Sequence, residues 1–174
     1  MLHIDFVCTG NICRSPMAEV IVRSKLEDAG LGDAVRVSSS GIGDWHVGHK
    51  ADERARRELA NHGYDGEAHR AQQFGYEQEQ ADLIVALDTN HVSELVVRGV
   101  PEDKVRLLRS FDPAAPEGAG VADPYYGGPE GFTVVREQIE AAADGIIHWV
   151  RDRCAPVRDS PPKVLQWTRA HRED

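Results

Sequence analysis

The sequence lacks the features that mark membrane, secreted and nucleic-acid-binding proteins. No apolar run in its 174 residues is long enough to span a bilayer, and the N-terminus carries no basic segment of the kind that begins a secretory signal. The net charge of −9 argues against nucleic acid as a partner, because a DNA- or RNA-binding surface is basic. We therefore expect a cytoplasmic protein that uses neither a membrane nor a nucleic acid, and we take a monomer as the default oligomeric state.

Cysteine is also scarce. The three residues, Cys8, Cys13 and Cys154, form an odd number, and no spacing of Cys and His matches a zinc site. An odd count without a signal sequence indicates a reducing compartment and a reactive thiol rather than a framework of disulfides. We expect no metal and no other cofactor.

Apolar runs alternate with helically periodic segments along the chain. The pattern predicts strands at residues 2–7, 35–39, 82–87 and 104–108, and helices at residues 16–29, 52–61, 90–98 and 129–153. This alternation predicts an α/β fold with a parallel sheet, whose site lies beyond the carboxyl ends of the strands. After Cys154 the composition shifts to prolines and charges. We expect one domain over residues 1–154 and a partly disordered tail over residues 155–174.

Several polar residues carry expectations about local structure. His3 and Asp5 interrupt the first strand, so they are expected at its beginning or on a partly solvated face. Ser15 fits the N-cap of the first helix, because Pro16 suits the first helical position. The arginines of the second helix are expected on an exposed face: Arg54, Arg56 and Arg57.

The segment VCTGNICRSP lies between the first strand and the first helix. Five residues separate Cys8 from Arg14 in what is called here the Cys8 loop (residues 8–14). Such a loop can curl so that its N–H groups face one anion, because Gly10 and Asn11 tolerate unusual backbone angles. Arg14 can bind two phosphate oxygens, and its charge favours the thiolate of Cys8, a nucleophile aimed at phosphorus. The alternative is a buried strand-end cysteine beside a surface arginine.

A phosphate ester attacked by a thiolate also needs an acid that protonates the leaving oxygen. The best candidate is Asp123, which lies in a long Pro- and Gly-rich segment, the Asp123 loop (residues 110–128). Alternatively, Asp123 only begins a turn, as Asp-Pro often does. Trp45, Tyr125 and Tyr126 are expected to wall a cleft around a phenyl ring, and the alternative for Trp45 is that it caps the edge of the core.

Three segments in order, VCTGNICRSP, SSSGIGDWHVG and DPYYGG, resemble the motifs of the low molecular weight protein tyrosine phosphatases, and the similarity covers about residues 1–154. The resemblance implies a three-layer, Rossmann-like or flavodoxin-like fold with a four-stranded parallel sheet flanked by helices. It also implies hydrolysis of phosphotyrosine in proteins through a phosphocysteine. Cys8 would be the nucleophile, Arg14 would bind the phosphate and Asp123 would act as general acid and base.

The same resemblance implies roles for residues around the nucleophile. Asn11 orders the loop, Ser15 hydrogen-bonds the thiolate, and Ser39 braces the loop from the second motif. The remaining residues of the loop surround the phosphate: Thr9, Gly10, Ile12 and Cys13.

Ile12, Cys13 and the paired tyrosines carry further implications. Related arginine phosphatases carry Thr where this chain has Ile12, which favours the tyrosine-specific branch. Tyr125 and Tyr126 match tyrosines that are phosphorylated in some relatives, so a tyrosine kinase is a candidate partner. Cys13 is either a redox partner that protects Cys8 or a small apolar residue of the loop.

Other functions on a related loop stay open at this point. An arsenate reductase would need further cysteines on a mobile segment, and residues 75–100 contain none. A phosphoprotein-binding module without catalysis would be expected to lack one of Cys8, Arg14 and Asp123. A phosphatase acting on small phosphate esters or on phosphoarginine can be separated from the tyrosine-specific hypothesis only by comparing substrates.

Overall fold

The computed structural model describes residues 1–154, and the predicted tail at residues 155–174 lies outside them. The strands are β1 (Leu2–Cys8), β2 (Val35–Gly41), β3 (Leu83–Ala86) and β4 (Val105–Leu107). The helices are α1 (Arg14–Asp28), α2 (Glu53–Asn61), α3 (Tyr76–Glu79), α4 (Thr89–Val97) and α5 (Pro129–Cys154). Short 3₁₀ turns span Glu102–Lys104 and Leu108–Phe111, and the second of them includes the first residues of the Asp123 loop. Within residues 1–154 no helix is both long and apolar enough to cross a membrane.

The four strands form one parallel sheet in the order β2-β1-β3-β4. The predicted three-layer α/β fold is confirmed, because helices cover both faces of the sheet. On one face Ile4 and Phe6 pack with α1 and α5, and on the other Val7 packs with Leu95 of α4. β1 lies inside the sheet, so the residues that follow it emerge between the ends of two neighbouring strands.

Asp5 corrects the expectation for the first strand. It lies in the middle of β1 and is 0% exposed, neither at the strand's beginning nor on a solvated face. Its carboxylate accepts hydrogen bonds from the Ser38 and Ser40 hydroxyls of β2, both at 2.7 Å. Ser38 in turn lies 2.6 Å from Nε2 of His3, which is half-buried. A central strand tolerates this carboxyl because its neighbouring strand supplies hydroxyl donors.

Gly145 sets the approach of α5 to the turn Leu108–Phe111. A Cβ at position 145 would lie 2.1 Å from the carbonyl oxygen of Phe111, which is backbone and cannot rotate away. We expect Gly145→Ala to lower the free energy of unfolding by about 1–3 kcal/mol, although alanine is intrinsically the better helix former. Urea denaturation measures this change, and Asp144→Ala, at the exposed neighbouring position, is the matched control. Equal or higher stability of Gly145→Ala would show that the contact is not tight.

Candidate active site

A cavity of about 370 Å³ opens where β1 ends. Ten of the thirteen predicted site residues line it: Cys8, Thr9, Gly10, Ile12, Cys13 and Arg14 from the Cys8 loop, and Trp45, Asp123, Tyr125 and Tyr126 from elsewhere. The other three, Asn11, Ser15 and Ser39, are buried behind it. The fold therefore brings together residues that are up to 118 positions apart in the sequence, from Cys8 to Tyr126.

Asn11 shapes the Cys8 loop. It is the one non-glycine residue with positive φ (58°) in residues 1–154, a conformation that asparagine tolerates better than most residues. Its side-chain amide donates to Ser15 Oγ at 2.8 Å and to Ser39 Oγ at 2.9 Å, while Oδ1 accepts from the backbone N–H of Gln72. These bonds satisfy the buried amide and fix the curled backbone.

The backbone beyond β2 supports the loop from below. The N–H of Ile42 donates to the Cys8 carbonyl and the N–H of Gly43 donates to the Thr9 carbonyl, both at 2.9 Å. A Cβ at Gly41 would lie 3.0 Å from backbone atoms of Thr9, Gly10 and Asn11. Glycine at the end of β2 therefore allows the loop to rest directly on this strand.

The thiol of Cys8 lies at the base of the cavity and is almost fully buried. Its Sγ is 2.9 Å from Ser15 Oγ. Ser15 is not the N-cap that the sequence predicted, because α1 begins at Arg14 and Cys13 precedes it without a side-chain capping bond. The hydroxyl instead accepts from Asn11 and can donate to the sulfur or, at 3.3 Å, to the Ser40 carbonyl. A hydroxyl that donates to sulfur stabilises the thiolate form of a cysteine.

Arg14 is buried, and its guanidinium is held from several sides. Nη1 donates to the Val121 carbonyl at 2.9 Å, and Nη2 donates to Thr9 Oγ1 at 3.3 Å. The carboxylates of Asp88 and Asp123 each lie 3.8 Å from one of its terminal nitrogens. This arrangement fixes the fork at the cavity, where it can bind two oxygens of one anion.

Asp123 lies at the mouth of the cavity opposite Arg14, and its side chain is 47% exposed. Its Oδ1 also accepts from the N–H of Tyr125 at 3.0 Å, an Asx turn. Asp123 therefore begins a turn and also places its carboxyl at the cavity, and its role as the acid stays a prediction.

Arg54 holds the Asp123 loop and corrects the expectation of an exposed arginine face. Its Nη1 donates to the carbonyls of Tyr125 at 3.0 Å and Gly127 at 3.3 Å, and its guanidinium lies 4.7 Å from the centre of the Phe132 ring. Asp52, the N-cap of α2, binds the other side of the guanidinium at 3.0 Å. Arg54 and Arg56 are therefore half-buried, and only Arg57 is exposed as expected.

Aromatic side chains surround the entrance. Trp45 is 69% exposed, Tyr126 is 92% exposed and Tyr125 is 39% exposed, so none of the three is part of the core. The Trp45 ring lies over Gly43, where a Cβ would approach within 1.8 Å of it. Trp45 consequently stands at the rim and does not cap the edge of the core.

Cys13 faces the apolar core beside the loop. Burial raises the pKa of its thiol above the ordinary range, with a smaller contribution from the charge of Asp52. Cys13 is therefore protonated at neutral pH. Its pairing with Cys8 stays a prediction, since both thiols are free in the structure.

Sequence reasoning missed four residues that complete the site. His46 lines the cavity against Gly10, and His69 Nε2 lies 2.8 Å from the Asn11 carbonyl. Asp88 and His91, at the start of α4, reach Arg14 and Thr9. No local pattern predicts the last three, because each acts through a contact across at least 58 positions of the chain. The signal for His46 was its position next to Trp45.

A thiol, an arginine and a carboxyl around one loop are the groups that a cysteine-dependent phosphatase would use. The family model described as low molecular weight phosphotyrosine protein phosphatase matches residues 3–155. The chain belongs to this family.

Individual relatives agree with this assignment. The chain is 54% identical over 155 residues to the low molecular weight protein-tyrosine phosphatase A of Mycobacterium tuberculosis, a match that covers 88% of this chain and 94% of the relative. The crystal structure of a protein tyrosine phosphatase from Entamoeba histolytica superposes with a TM-score of 0.82 at 29% identity, covering 88% and 99% of the two chains. A drosophila arginine phosphatase is also similar, with a TM-score of 0.76 at 28% identity and coverage of 86% and 97%.

Proposed function

We propose that this protein tyrosine phosphatase works through a phosphocysteine on Cys8. The observation that carries the proposal is the shared cavity, with Cys8 at its base, Arg14 fixed in its wall and Asp123 at its mouth. Each of the three groups has a separate task in the hydrolysis of a phosphate monoester.

In the first step the Cys8 thiolate attacks phosphorus, and an S–P bond forms as the P–O bond to the phenol breaks. Arg14 and the N–H groups of the loop bind the three non-bridging oxygens of the phosphoryl group. These donors match the positions and charges of the oxygens best in the transition state. Asp123 gives its proton to the leaving phenolate oxygen. In the second step the Asp123 carboxylate takes a proton from water, which attacks phosphorus and releases phosphate and the Cys8 thiolate.

The depth of the thiol supports phosphotyrosine as the substrate. Cys8 is buried, whereas the aromatic rings that surround the entrance stand at the surface. A phenyl ester can pass between Trp45 and Tyr126 and still place its phosphorus at the sulfur. A phosphoserine is several ångströms shorter and would bring the peptide backbone against these rings. Ile12 in the cavity wall adds an apolar contact for the phenyl ring.

We propose phosphotyrosine proteins of a reducing, cytoplasmic compartment as partners and substrates of a monomeric enzyme. The three free cysteines support such a compartment, because a catalytic thiolate is inactivated by oxidation. A tyrosine kinase is a further proposed partner, and the almost complete exposure of Tyr126 supports this proposal.

Substrate selectivity tests the proposed function. We expect phosphotyrosine peptides to be hydrolysed at least about 100-fold faster than matched phosphoserine peptides, because misplacing phosphorus by about 1 Å can cost that factor. Phosphoarginine peptides should also be hydrolysed more slowly, because the apolar side chain of Ile12 offers no hydrogen bond to their guanidinium group. Initial rates in the presence of a chelator give the comparison. Faster hydrolysis of phosphoarginine would keep the two-step mechanism and reject the aromatic entrance as the basis of specificity.

An Asp123→Asn variant tests the acid in the same assay. The loss in kcat/KM, which reports only the step that forms the phosphocysteine, should be about 100-fold for a phenolic leaving group and smaller for p-nitrophenol, which leaves without protonation. Equal losses in kcat/KM for both leaving groups would show that Asp123 does not protonate the leaving oxygen. Asp112→Asn, at the beginning of the same loop and outside the cavity, is the control.

A further inference from the structure

Thr9 lies in the Cys8 loop between two hydrogen-bond donors whose protonation the structure fixes. One is His91 on α4, which is 1% exposed and lies with Nε2 2.9 Å from Thr9 Oγ1. The other is Arg14, whose Nη2 lies 3.3 Å from the same oxygen. Thr9 also lines the cavity, together with Cys8 and Arg14.

The tautomer of His91 follows from its second nitrogen. The backbone N–H of Asp88 donates to His91 Nδ1 at 3.0 Å, so Nδ1 must be an unprotonated acceptor. Burial, with a smaller contribution from the charge of Arg14, lowers the pKa of His91 to about 4. At neutral pH the ring is therefore uncharged, with its single hydrogen on Nε2, and it donates to Thr9.

The hydroxyl of Thr9 is consequently forced to donate elsewhere. Its oxygen accepts from His91 and from Arg14, which is always protonated, so both lone pairs are used. The hydrogen of the hydroxyl cannot point at either donor. Within residues 1–154 the hydroxyl has no third partner, and the cavity that Thr9 lines offers its hydrogen a place for an acceptor.

We propose that the Thr9 hydroxyl donates a hydrogen bond to an oxygen of the phosphoryl group, in addition to the bonds from Arg14 and the loop backbone. This inference rests on the proposed function and deepens it. Thr9 becomes a catalytic residue, since it contacts the reacting group. His91 is a positioning residue. It donates to Thr9 Oγ1, so the hydrogen of the Thr9 hydroxyl is directed away from α4 and toward the substrate.

A pair of substitutions at Thr9 tests the hydrogen bond. Thr9→Val keeps the shape and removes the hydroxyl, whereas Thr9→Ser keeps the hydroxyl and removes a methyl group. With orthovanadate as an oxyanion probe, we expect Thr9→Val to raise the inhibition constant about tenfold, the usual effect of losing a hydrogen bond to a charged group. The kcat for a phosphotyrosine peptide should fall by a similar factor, and Thr9→Ser should restore most of what Thr9→Val loses in both measurements.

His91→Phe tests whether the histidine acts through Thr9. The single variant should weaken orthovanadate inhibition, but in the Thr9→Val background it should add no further loss in a double-mutant cycle. Circular dichroism at the assay temperature confirms that each variant is folded, and ¹⁵N NMR of the ring should show the Nε2–H tautomer of the wild type between pH 6 and 8.

Two results would overturn the inference: orthovanadate inhibition of Thr9→Val equal to that of the wild type, or a His91 ring that is protonated on Nδ1. Both results can be told apart from a failure of the proposed function. If the proposed function is wrong, the wild type itself will not hydrolyse the phosphotyrosine peptide, and neither will any variant at position 9.

Discussion

Cys8→Ser is expected to reduce turnover of a phosphotyrosine peptide by at least about 10⁴-fold, the largest effect among the substitutions considered. A serine hydroxyl is a poor nucleophile unless a base removes its proton. Among residues 1–154 the only side chain within hydrogen-bond distance of Cys8 Sγ belongs to Ser15, itself a hydroxyl. No histidine or carboxylate of these residues is therefore close enough to remove the proton of a serine at this position, whereas a thiolate needs no such base.

Binding should survive this substitution, which separates the loss of the nucleophile from the loss of the site. The Arg14 fork and the loop backbone do not depend on sulfur, so Cys8→Ser should still bind the phosphotyrosine peptide in isothermal titration calorimetry. Cys154→Ser, at the exposed end of α5, is the control and should retain full activity. Turnover by Cys8→Ser, or a wild-type protein that never carries phosphate on Cys8 in acid-quenched samples, would contradict the proposed intermediate.

The Cys8 loop could be predicted from the sequence because the residues that determine its structure are neighbours in the chain. A strand, a curled loop and a helix N-terminus follow one another within residues 2–28, and the observed bounds of β1 and α1 differ from the predicted ones by at most two residues. The parallel sheet was predictable for a similar reason, since its strands alternate with helical segments and β3 is a compact apolar run.

Other parts of the site depend on pairings that no local pattern reveals. The sequence predicts Arg54 to be one of three solvated charges. In the structure its guanidinium instead lies beside carbonyls of the Asp123 loop, more than 70 positions away. His91 could equally have been a surface residue of α4, and only the register of β1 beside β3 brings Thr9 to it. Ser15 occupies a position that suits capping, but the nearby sulfur and Asn11 use its hydroxyl instead.

Asp5 is the clearest case of a residue whose environment the sequence did not reveal, and its pKa has a measurable consequence. Burial raises the pKa of this carboxyl from 3.8 to about 7, while the bonds from Ser40 and Ser38 act in the opposite direction. Between these two values the native protein keeps a proton that the unfolded chain has released. The contribution of Asp5 to stability is thus most favourable below about pH 4, declines as the pH rises, and levels off above about pH 7.

Asp5→Asn should remove this dependence, because an amide does not ionise. The amide can also keep both hydrogen bonds if Ser38 continues to donate to Oδ1 and the Ser40 hydroxyl turns to accept from Nδ2. A carboxyl whose pKa rises this far on folding lowers the free energy of unfolding by up to about 4 kcal/mol above pH 7, roughly a thousandfold in the folding equilibrium. We therefore expect Asp5→Asn to gain stability relative to the wild type as the pH rises from 4 to 8.

Urea denaturation of both proteins at a series of pH values measures this gain, and taking the difference between them cancels the titration of all other groups. Asp144→Asn, which removes an exposed carboxylate from α5, controls for the change in net charge. A difference between Asp5→Asn and wild type that stays constant from pH 4 to pH 8 would mean that Asp5 is ionised in the native protein throughout. The hydroxyls of Ser38 and Ser40 would then stabilise the buried charge as well as water does, and β1 would carry a carboxylate through the middle of the sheet.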